Sequence, residues 1–455
     1  MSHPLKIAVI GSGPSGFYAV DALTRAGDGE IHVDIYDRLP TPYGLIRGGV
    51  APDHPSIKKV AVAFARVAQR PQVRFVGNVT IGQDVTADEL RDHYDAIIYA
   101  TGNESHRSLG IPGEALKGVH SATEFVFWYN GHPDYAGRQF DLLSVKRAIV
   151  VGVGNVAMDV ARILVRDRDE LAQTDMAGYA VDALRDSKIE EVLILGRRGV
   201  AQASFSVKEI KDLATLTDVD LTISETDATV DEVSAQWLDA EDTPATFRKN
   251  IEFLQGVAEK GLTGAPRRLQ PVFCVSPVAI LGDEGVVAGI RLGRNRLEAA
   301  PGRPRPVATG EEWDVEAQLV LSAIGYRGVA IPGVSYDAKT GRIPNELGRV
   351  HDENGSRCEG EYVVGWAKRG PSGLIGSNRP DAKETVAQLL ADFDGAQPKN
   401  LAIDLVDVLV SRGVRVVSFA DWERLDAEEL RRGQESGRAR EKFTNVAEMI
   451  EFLSK

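Results

Sequence analysis

Apolar positions in this chain gather in short runs that end in glycine. Residues 7–10, Ile-Ala-Val-Ile, run into Gly11-Ser12-Gly13-Pro14-Ser15-Gly16, and 17–23 follow with helical periodicity. A brief, continuous apolar run bounded by turn residues predicts a strand buried on both faces, as in a parallel sheet. The same cadence returns at 94–102, 147–152, 191–196, 317–325 and 361–365, and a further strand run at 31–36 ends in Asp37 instead. Between these runs, 57–67 predicts an amphipathic helix, and 73–76 and 79–81 predict short strands. Residues 166–187 predict an extended helix and loop. Residues 206–265 are charged and partly helical, with Trp237, Phe247 and Phe253 as core contacts. From 272 to 320 the pattern alternates, with a turn at Gly282-Asp283-Glu284-Gly285 and a proline-rich stretch at 301–306, which predicts antiparallel hairpins. Residues 381–393 predict a helix. The tail, 400–455, predicts a short helix at 406–411, a strand at 414–419 and charged helices that pack on the first domain.

Two of the strand-to-glycine turns carry chemistry. At the first, Gly11 allows a tight turn, Gly13 leaves room for a pyrophosphate against the backbone, and Gly16 lets helix and strand pack closely. Pro14 and Ser15 open the helix, whose N-terminal N–H groups and dipole favour phosphate. The strand 31–36 then ends in Asp37, placed to accept a ribose hydroxyl. The second turn is Gly152-Val153-Gly154-Asn155-Val156-Ala157, with alanine at the helix-packing position. Its following strand, 191–196, ends in Arg197-Arg198 instead of an acid. Two guanidiniums suit a 2′-phosphate, which a carboxylate would repel, so NADP is favoured over NAD. The strand-to-glycine segments ending near 107 and 325 bracket an insertion. The expected domains are 1–107 with 325–455, and 108–324. The fold class is α/β, with two Rossmann-like dinucleotide-binding domains on parallel central sheets, the second inserted into the first.

Composition narrows the function. The 455 residues suit about two or three domains, and no apolar run nears the roughly 18 residues of a membrane span. The opening residues lead straight into the first strand, so a cytoplasmic location is expected. A net charge of −13 argues against a general nucleic-acid binder. The two cysteines, Cys274 and Cys358, form no Cys-x-x-Cys, which excludes a redox dithiol of that spacing and an iron–sulfur cluster held by this chain alone. Both read as small packing residues. No histidines fall at metal-ligand spacing. The loop 38–55 is broken by prolines and glycines yet rich in Tyr, Leu, Ile and Val, which suits a buried loop against a flat aromatic ligand.

The chain closely resembles the adrenodoxin reductase family of NADPH–ferredoxin reductases over essentially its whole length. The resemblance rests on Gly-Ser-Gly-Pro-Ser-Gly at 11–16, Pro-Tyr-Gly-Leu-Ile-Arg at 42–47, Val-Ala-Pro-Asp-His-Pro at 50–55, Gly-Asn-Val-Ala at 154–157 and Arg197-Arg198. Gly-Trp-Ala-Lys-Arg-Gly-Pro-Ser-Gly-Leu-Ile at 365–375 and Val-Ser-Phe-Ala-Asp-Trp-Glu at 417–423 match as well. It implies FAD in the first domain, tightly but not covalently bound, at Ser15, Asp37, Leu45, Val79, Trp366, Gly373, Leu374 and Ile375. It implies NADPH in the insertion at Arg107, Gly154, Asn155, Val156, Ala157, Arg197, Arg198 and Glu209, with Gly373. Asp37 stands where some members have Glu, and Leu374 where Val is common. Trp366 replaces the strand-end acid of many other flavoenzymes.

The implied activity is hydride transfer from NADPH to FAD, then single electrons to a ferredoxin-type iron–sulfur protein. His54 and Asp159 follow loops expected to border the flavin, which makes them the expected proton relay. Ferredoxins are usually acidic, so docking on this acidic chain needs a local basic patch, for which Arg248, Lys249, Arg369 and Arg379 stand out. A monomer is expected. Two rival readings differ in class. The flavoprotein half of an amidotransferase-type synthase would carry an extra cysteine-rich segment, which is absent here. A redox-sensing partner protein would bind both cofactors but pass no electrons to a small acceptor.

Overall fold

A run such as Ile7–Ile10 has no polar side chain to face water, so its strand must lie in the middle of a sheet covered on both sides. The computed structural model describes residues 4–26, 30–103, 105–240, 243–393, 399 and 403–455. The start of the chain at 1–3 and the start of the tail at 400–402 lie outside the described residues. The chain forms two compact units, Met1–Ser105 with Gly325–Lys455, and His106–Ile324.

In the first unit a seven-stranded sheet has Leu5–Ile10 near its centre, paired in parallel with Ile31–Tyr36 on one side and Ala96–Tyr99 on the other. Val73–Val76 and Arg357–Val363 extend the parallel part, and two short antiparallel strands finish one edge. Strand alternation sends Ile7 and Val9 into one core with Phe17, Phe64, Leu389 and Leu425. It sends Ala8 and Ile10 into another with Leu90, Tyr99 and Leu409. The tail adds Trp422, Phe443, Met449 and Leu453 to the first of these cores.

The second unit repeats the scheme. Its six-stranded sheet is parallel throughout, with Arg147–Val151 between Leu319–Ser322 and Glu191–Leu195. Ala148 and Val150 face a helical core. Ile149 and Val151 face an antiparallel sheet of Val275–Asp283, Val286–Glu298 and Arg305–Glu316 through Ile280, Ile290 and Leu292. Phe247 is buried, and Trp237 and Phe253 pack against the helical core. In both units the strand before the glycine turn is flanked on both sides by parallel strands that leave it in opposite directions. That crevice is where α/β sheets take ligands.

Several local expectations change. Residues 79–81 form no strand: Val79 N–H donates to the carbonyl of Asp37, and only Ile81 bridges, to Val85. Residues 57–67 fall into two helices, Pro55–Lys58 and Val60–Ala68, that meet at Lys59, and Pro55 at the first helical position starts the first of them two residues early. At 414–419 only Val417 bridges, to Gly77. Ser418 and Asp421 form a capping box that starts the helix Phe419–Glu435, so the strand ends before it forms. Residues 166–187 hold two short helices, Arg168–Ala172 and Gly178–Arg185, and the helix expected at 381–393 spans Asn378–Asp392. Both cysteines are free and half-buried. Among the described residues no helix is long and apolar enough to cross a membrane.

Candidate dinucleotide sites

The turn after Leu5–Ile10 is set by sterics. Gly11 has φ +111°, and a Cβ there would lie 2.5 Å from the Ala100 carbonyl oxygen. A Cβ at Gly16 would collide with the Gly11 carbonyl. At Gly13 a Cβ would meet no protein atom within 4 Å, so the space over that backbone is open to a ligand. The helix Pro14–Ala26 begins there, and its first N–H groups have no intrahelical acceptor. The cradle thus fits a pyrophosphate. Asp37 lies at the sheet end beside it, but is already engaged. Its carboxylate accepts the Ser12 N–H at 3.0 Å, the Ser12 hydroxyl and the Leu39 N–H at 3.0 Å. These bonds orient it, and its remaining lone pairs can take a hydroxyl donor.

The loop after Asp37 folds back onto the turn, since the Tyr43 N–H donates to the Ser12 carbonyl at 3.0 Å. Tyr43 has φ +85°, unusual for a residue with a side chain, and Thr41, Tyr43 and Ile46 are buried. Leu45 opens the short helix Leu45–Gly48, and Val79 is fully buried. The tail holds this loop in place. Glu429, buried, accepts both Nη groups of Arg47 at 2.9 and 2.5 Å, Nη1 of Arg440 at 2.7 Å and the Phe443 N–H at 2.9 Å. Arg47 also lies 5.2 Å over the Trp422 ring, and Tyr43 packs edge-on against Trp422.

The segment from Gly365 completes this side. Gly365 has φ +70°, and a Cβ there would collide with the Ser15 hydroxyl. The Asp381 carboxylate accepts the Gly365 N–H at 2.6 Å, and the Ser15 hydroxyl donates to Asn378 Oδ1 at 3.1 Å. Trp366 is half-buried, 5.2 Å from the Tyr326 ring, and its indole N–H donates to the Ser372 carbonyl. Gly373 (φ +81°) and Leu374 are exposed, and Ile375 is half-buried.

The second unit uses the same device. Gly152 has φ +133°, its N–H donates to the Leu195 carbonyl at 2.9 Å, and a Cβ there would collide with the Ala323 carbonyl. Gly154 sits at the N-cap of Asn155–Val165, where a Cβ would meet only the Ser204 hydroxyl, at 3.8 Å. Val153 O accepts the Ser204 N–H, and Asn155 Oδ1 accepts the Ser206 N–H, so side chain and loop brace one another. Val156 is half-buried and Ala157 fully buried. Arg197 is exposed and Arg198 half-buried. Nε of Arg198 donates to the Pro304 carbonyl at 2.8 Å. Among the described residues no carboxylate pairs with either arginine.

Residues 5–198 match the family model described as pyridine nucleotide-disulphide oxidoreductase, and both cysteines lie outside that stretch. NADPH-ferredoxin reductase FprA of Mycobacterium tuberculosis is 44% identical, over 98% of this chain and 99% of its own length. The mitochondrial NADPH:adrenodoxin oxidoreductase of Homo sapiens is 40% identical, over 98% of this chain and 92% of its own. The chain belongs to the adrenodoxin reductase family. The structure of Mycobacterium tuberculosis FprA in complex with NADPH superposes with a TM-score of 0.93 at 42% identity, covering 100% of both chains.

In this member of the family the remaining expected residues have mixed surroundings. His54 is buried at the N-cap of Pro55–Lys58. Asp159 lies on the helix Asn155–Val165, ion-paired with Arg162 at 2.6 Å. Glu209 is buried and pairs with the same Arg162 at 3.1 Å. Arg162, fully buried, is the residue that sequence reading missed. Its only sequence signal is the three-residue spacing from Asp159. Arg107 is exposed in a loop. Of the expected docking residues, Arg248 is ion-paired with Asp239 at 2.9 Å, and Arg369 donates to Asn378 Oδ1 and the Ser372 carbonyl. Lys249 and Arg379 are exposed.

Proposed function

We propose that this chain is an NADPH:ferredoxin oxidoreductase, with FAD held by the Gly11–Gly16 unit and NADPH by the Gly152–Ala157 unit. The observation that carries the assignment is one turn built twice with opposite endings: Asp37 after the first, Arg197 and Arg198 after the second. An acid selects a free ribose hydroxyl, whereas an unpaired guanidinium pair selects a 2′-phosphate. When bound, FAD supplies acceptance of a hydride from NADPH and release of single electrons to an iron–sulfur protein.

The chain supplies position and electrostatics. Gly13 and Gly154 admit phosphate to the backbone, and Ser15 opens the helix at the first turn. Asp37 orients a ribose, and Leu45 and Val79 offer apolar surface. Trp366 and Gly373–Ile375 are proposed to bring a ring and bare backbone to the flavin. Arg107, Arg197 and Arg198 take the phosphates of NADPH. Glu209, tied to Arg162, holds the helix behind the second turn. His54 and Asp159 are proposed to hold protons for the reduced cofactor. An acidic iron–sulfur partner is proposed to dock through unengaged cations, with Lys249 and Arg379 better available than the bonded Arg248 and Arg369. The proposal includes a monomeric, cytoplasmic protein.

The test is anaerobic titration of the purified protein with NADPH, and with NADH as control, followed in the visible spectrum. A yellow protein bleached by stoichiometric NADPH and poorly by NADH supports the assignment. A colourless protein, or one indifferent to NADPH, overturns it.

A further inference from the structure

A third arginine belongs with Arg197 and Arg198. The hairpin between Val286–Glu298 and Arg305–Glu316 ends in Ala299-Ala300-Pro301-Gly302-Arg303-Pro304. Its prolines restrict the backbone, and two hydrogen bonds pin it on either side of Arg303. The Trp237 indole N–H donates to the Gly302 carbonyl at 2.6 Å, and Nε of Arg198 donates to the Pro304 carbonyl at 2.8 Å. The Arg303 guanidinium lies 5.2 Å over the Phe247 ring and 6.0 Å from that of Trp237. Stacking holds its plane while leaving its edge N–H groups to face a ligand.

The neighbouring charges do not neutralise it. Glu298, the acid at the base of the hairpin, is taken by Arg296 at 2.7 Å and Arg305 at 2.9 Å. Among the described residues no carboxylate pairs with Arg303, Arg197 or Arg198. Burial, then the charges of Arg197 and Arg303, push the Arg198 guanidinium below its usual pKa. Cations held together without an acid repel one another, and an anion carrying close to two charges relieves that repulsion.

We propose that Arg303 is a third guanidinium for the 2′-phosphate of NADPH, a specificity-determining residue that lies outside the strand–turn motif. The inference rests on the assignment of NADPH to this unit. It adds that the hairpin tip, far from Arg197 in sequence, sets the preference for the phosphorylated nucleotide. Because the tip is anchored at Gly302 and Pro304, little ordering remains for binding to impose.

The experiment measures binding of NADP+, 2′-AMP and NAD+ to the oxidised, flavin-loaded protein by calorimetry, for the wild type, Arg303→Gln, Arg303→Lys and Arg197→Gln. Arg303→Gln is expected to weaken NADP+ and 2′-AMP by about three- to tenfold and leave NAD+ within about twofold. The salt dependence of NADP+ binding should flatten, and Arg303→Lys should restore part of the loss. If Arg303→Gln leaves NADP+ unchanged while Arg197→Gln weakens it, Arg303 is idle and only the nucleotide assignment stands. Equal losses for NADP+ and NAD+ would mean that Arg303 merely supports Trp237 and Phe247, which also overturns the proposal. If neither variant separates NADP+ from NAD+, the nucleotide assignment fails and the role of Arg303 fails with it.

Discussion

Replacing Glu429 by glutamine should destabilise the first unit more than any other single charge removal in the tail. The Glu429 side chain is fully buried and accepts four hydrogen bonds, from Arg47 twice, Arg440 and the Phe443 N–H. An amide keeps one oxygen and turns the other into a donor that faces donors. About two charge-assisted bonds are lost, at roughly 1.5–3 kcal/mol each. That agrees with the ~3–5 kcal/mol typical of breaking a buried ion pair by removing one partner. Arg440 keeps Asp426 at 2.6 Å, which favours the lower half of the range. Equilibrium urea unfolding followed by circular dichroism measures the loss, with Glu435→Gln as control. Glu435 pairs with Arg431 on the surface, and its removal should change stability by less than about 1 kcal/mol. Because Arg47 lies in the loop 42–49, Glu429→Gln should also release flavin faster. A pH series adds a sign. Burial alone would raise the Glu429 pKa, but Arg47 and Arg440 outweigh it and hold the carboxyl below its usual value. Its stabilisation is therefore full above the unfolded pKa of about 4.3 and is lost as pH falls towards the depressed folded value. Glu429→Gln should lack this acid-sensitive component. If Glu429→Gln unfolds no more readily than Glu435→Gln, the clamp is not what holds the loop.

Four further outcomes are expected. Gly13→Ala should fold with wild-type stability, since its Cβ meets no protein atom within 4 Å, yet bind FAD at least about tenfold more weakly because the methyl stands where phosphate must approach. Retention of flavin through gel filtration and dialysis would refute this. Gly11→Ala should instead lose several degrees of melting temperature, since it combines φ +111° with a backbone clash at 2.5 Å. A melt matching the wild type would count against that strain. His54→Gln should slow flavin reduction by NADPH and flatten its pH profile, as stopped-flow absorbance would read. Unchanged rate and profile would leave the His54 side chain a structural group and overturn the relay. Reduction of an acidic ferredoxin should weaken with rising ionic strength, and a flat dependence would remove the basic docking surface.

What the sequence determined by itself was whatever depends on neighbours in the chain. The turns at Gly11 and Gly152 were legible because a strand, a residue free to take positive φ and a helix start lie within a few positions of one another. The two-faced burial of Ile7–Ile10 followed from an unbroken apolar run, and the contrast of Asp37 with Arg197-Arg198 from the residue at a strand end. Where a local signal competed with another, the expectation and the structure part: the capping box of Ser418 and Asp421 overrode the valine-rich stretch at 414–417. Tertiary structure decided the charges. Glu429 reads as one more acid on a charged helix, yet it is fully buried and meets the half-buried Arg47 from 382 positions away. Arg162 looks like a solvated helix residue, yet its helix turns it inward between Asp159 and Glu209. Arg303 sits in a proline-rich tip with no motif of its own and acquires its neighbours only when the hairpin folds over Trp237 and Arg198. The physical reason is common to all three. Hydrophobic periodicity tells which face of an element is buried, but a charged residue can lie on either face. Only the elements that pack against it supply, or withhold, the opposite charge that makes its burial stable.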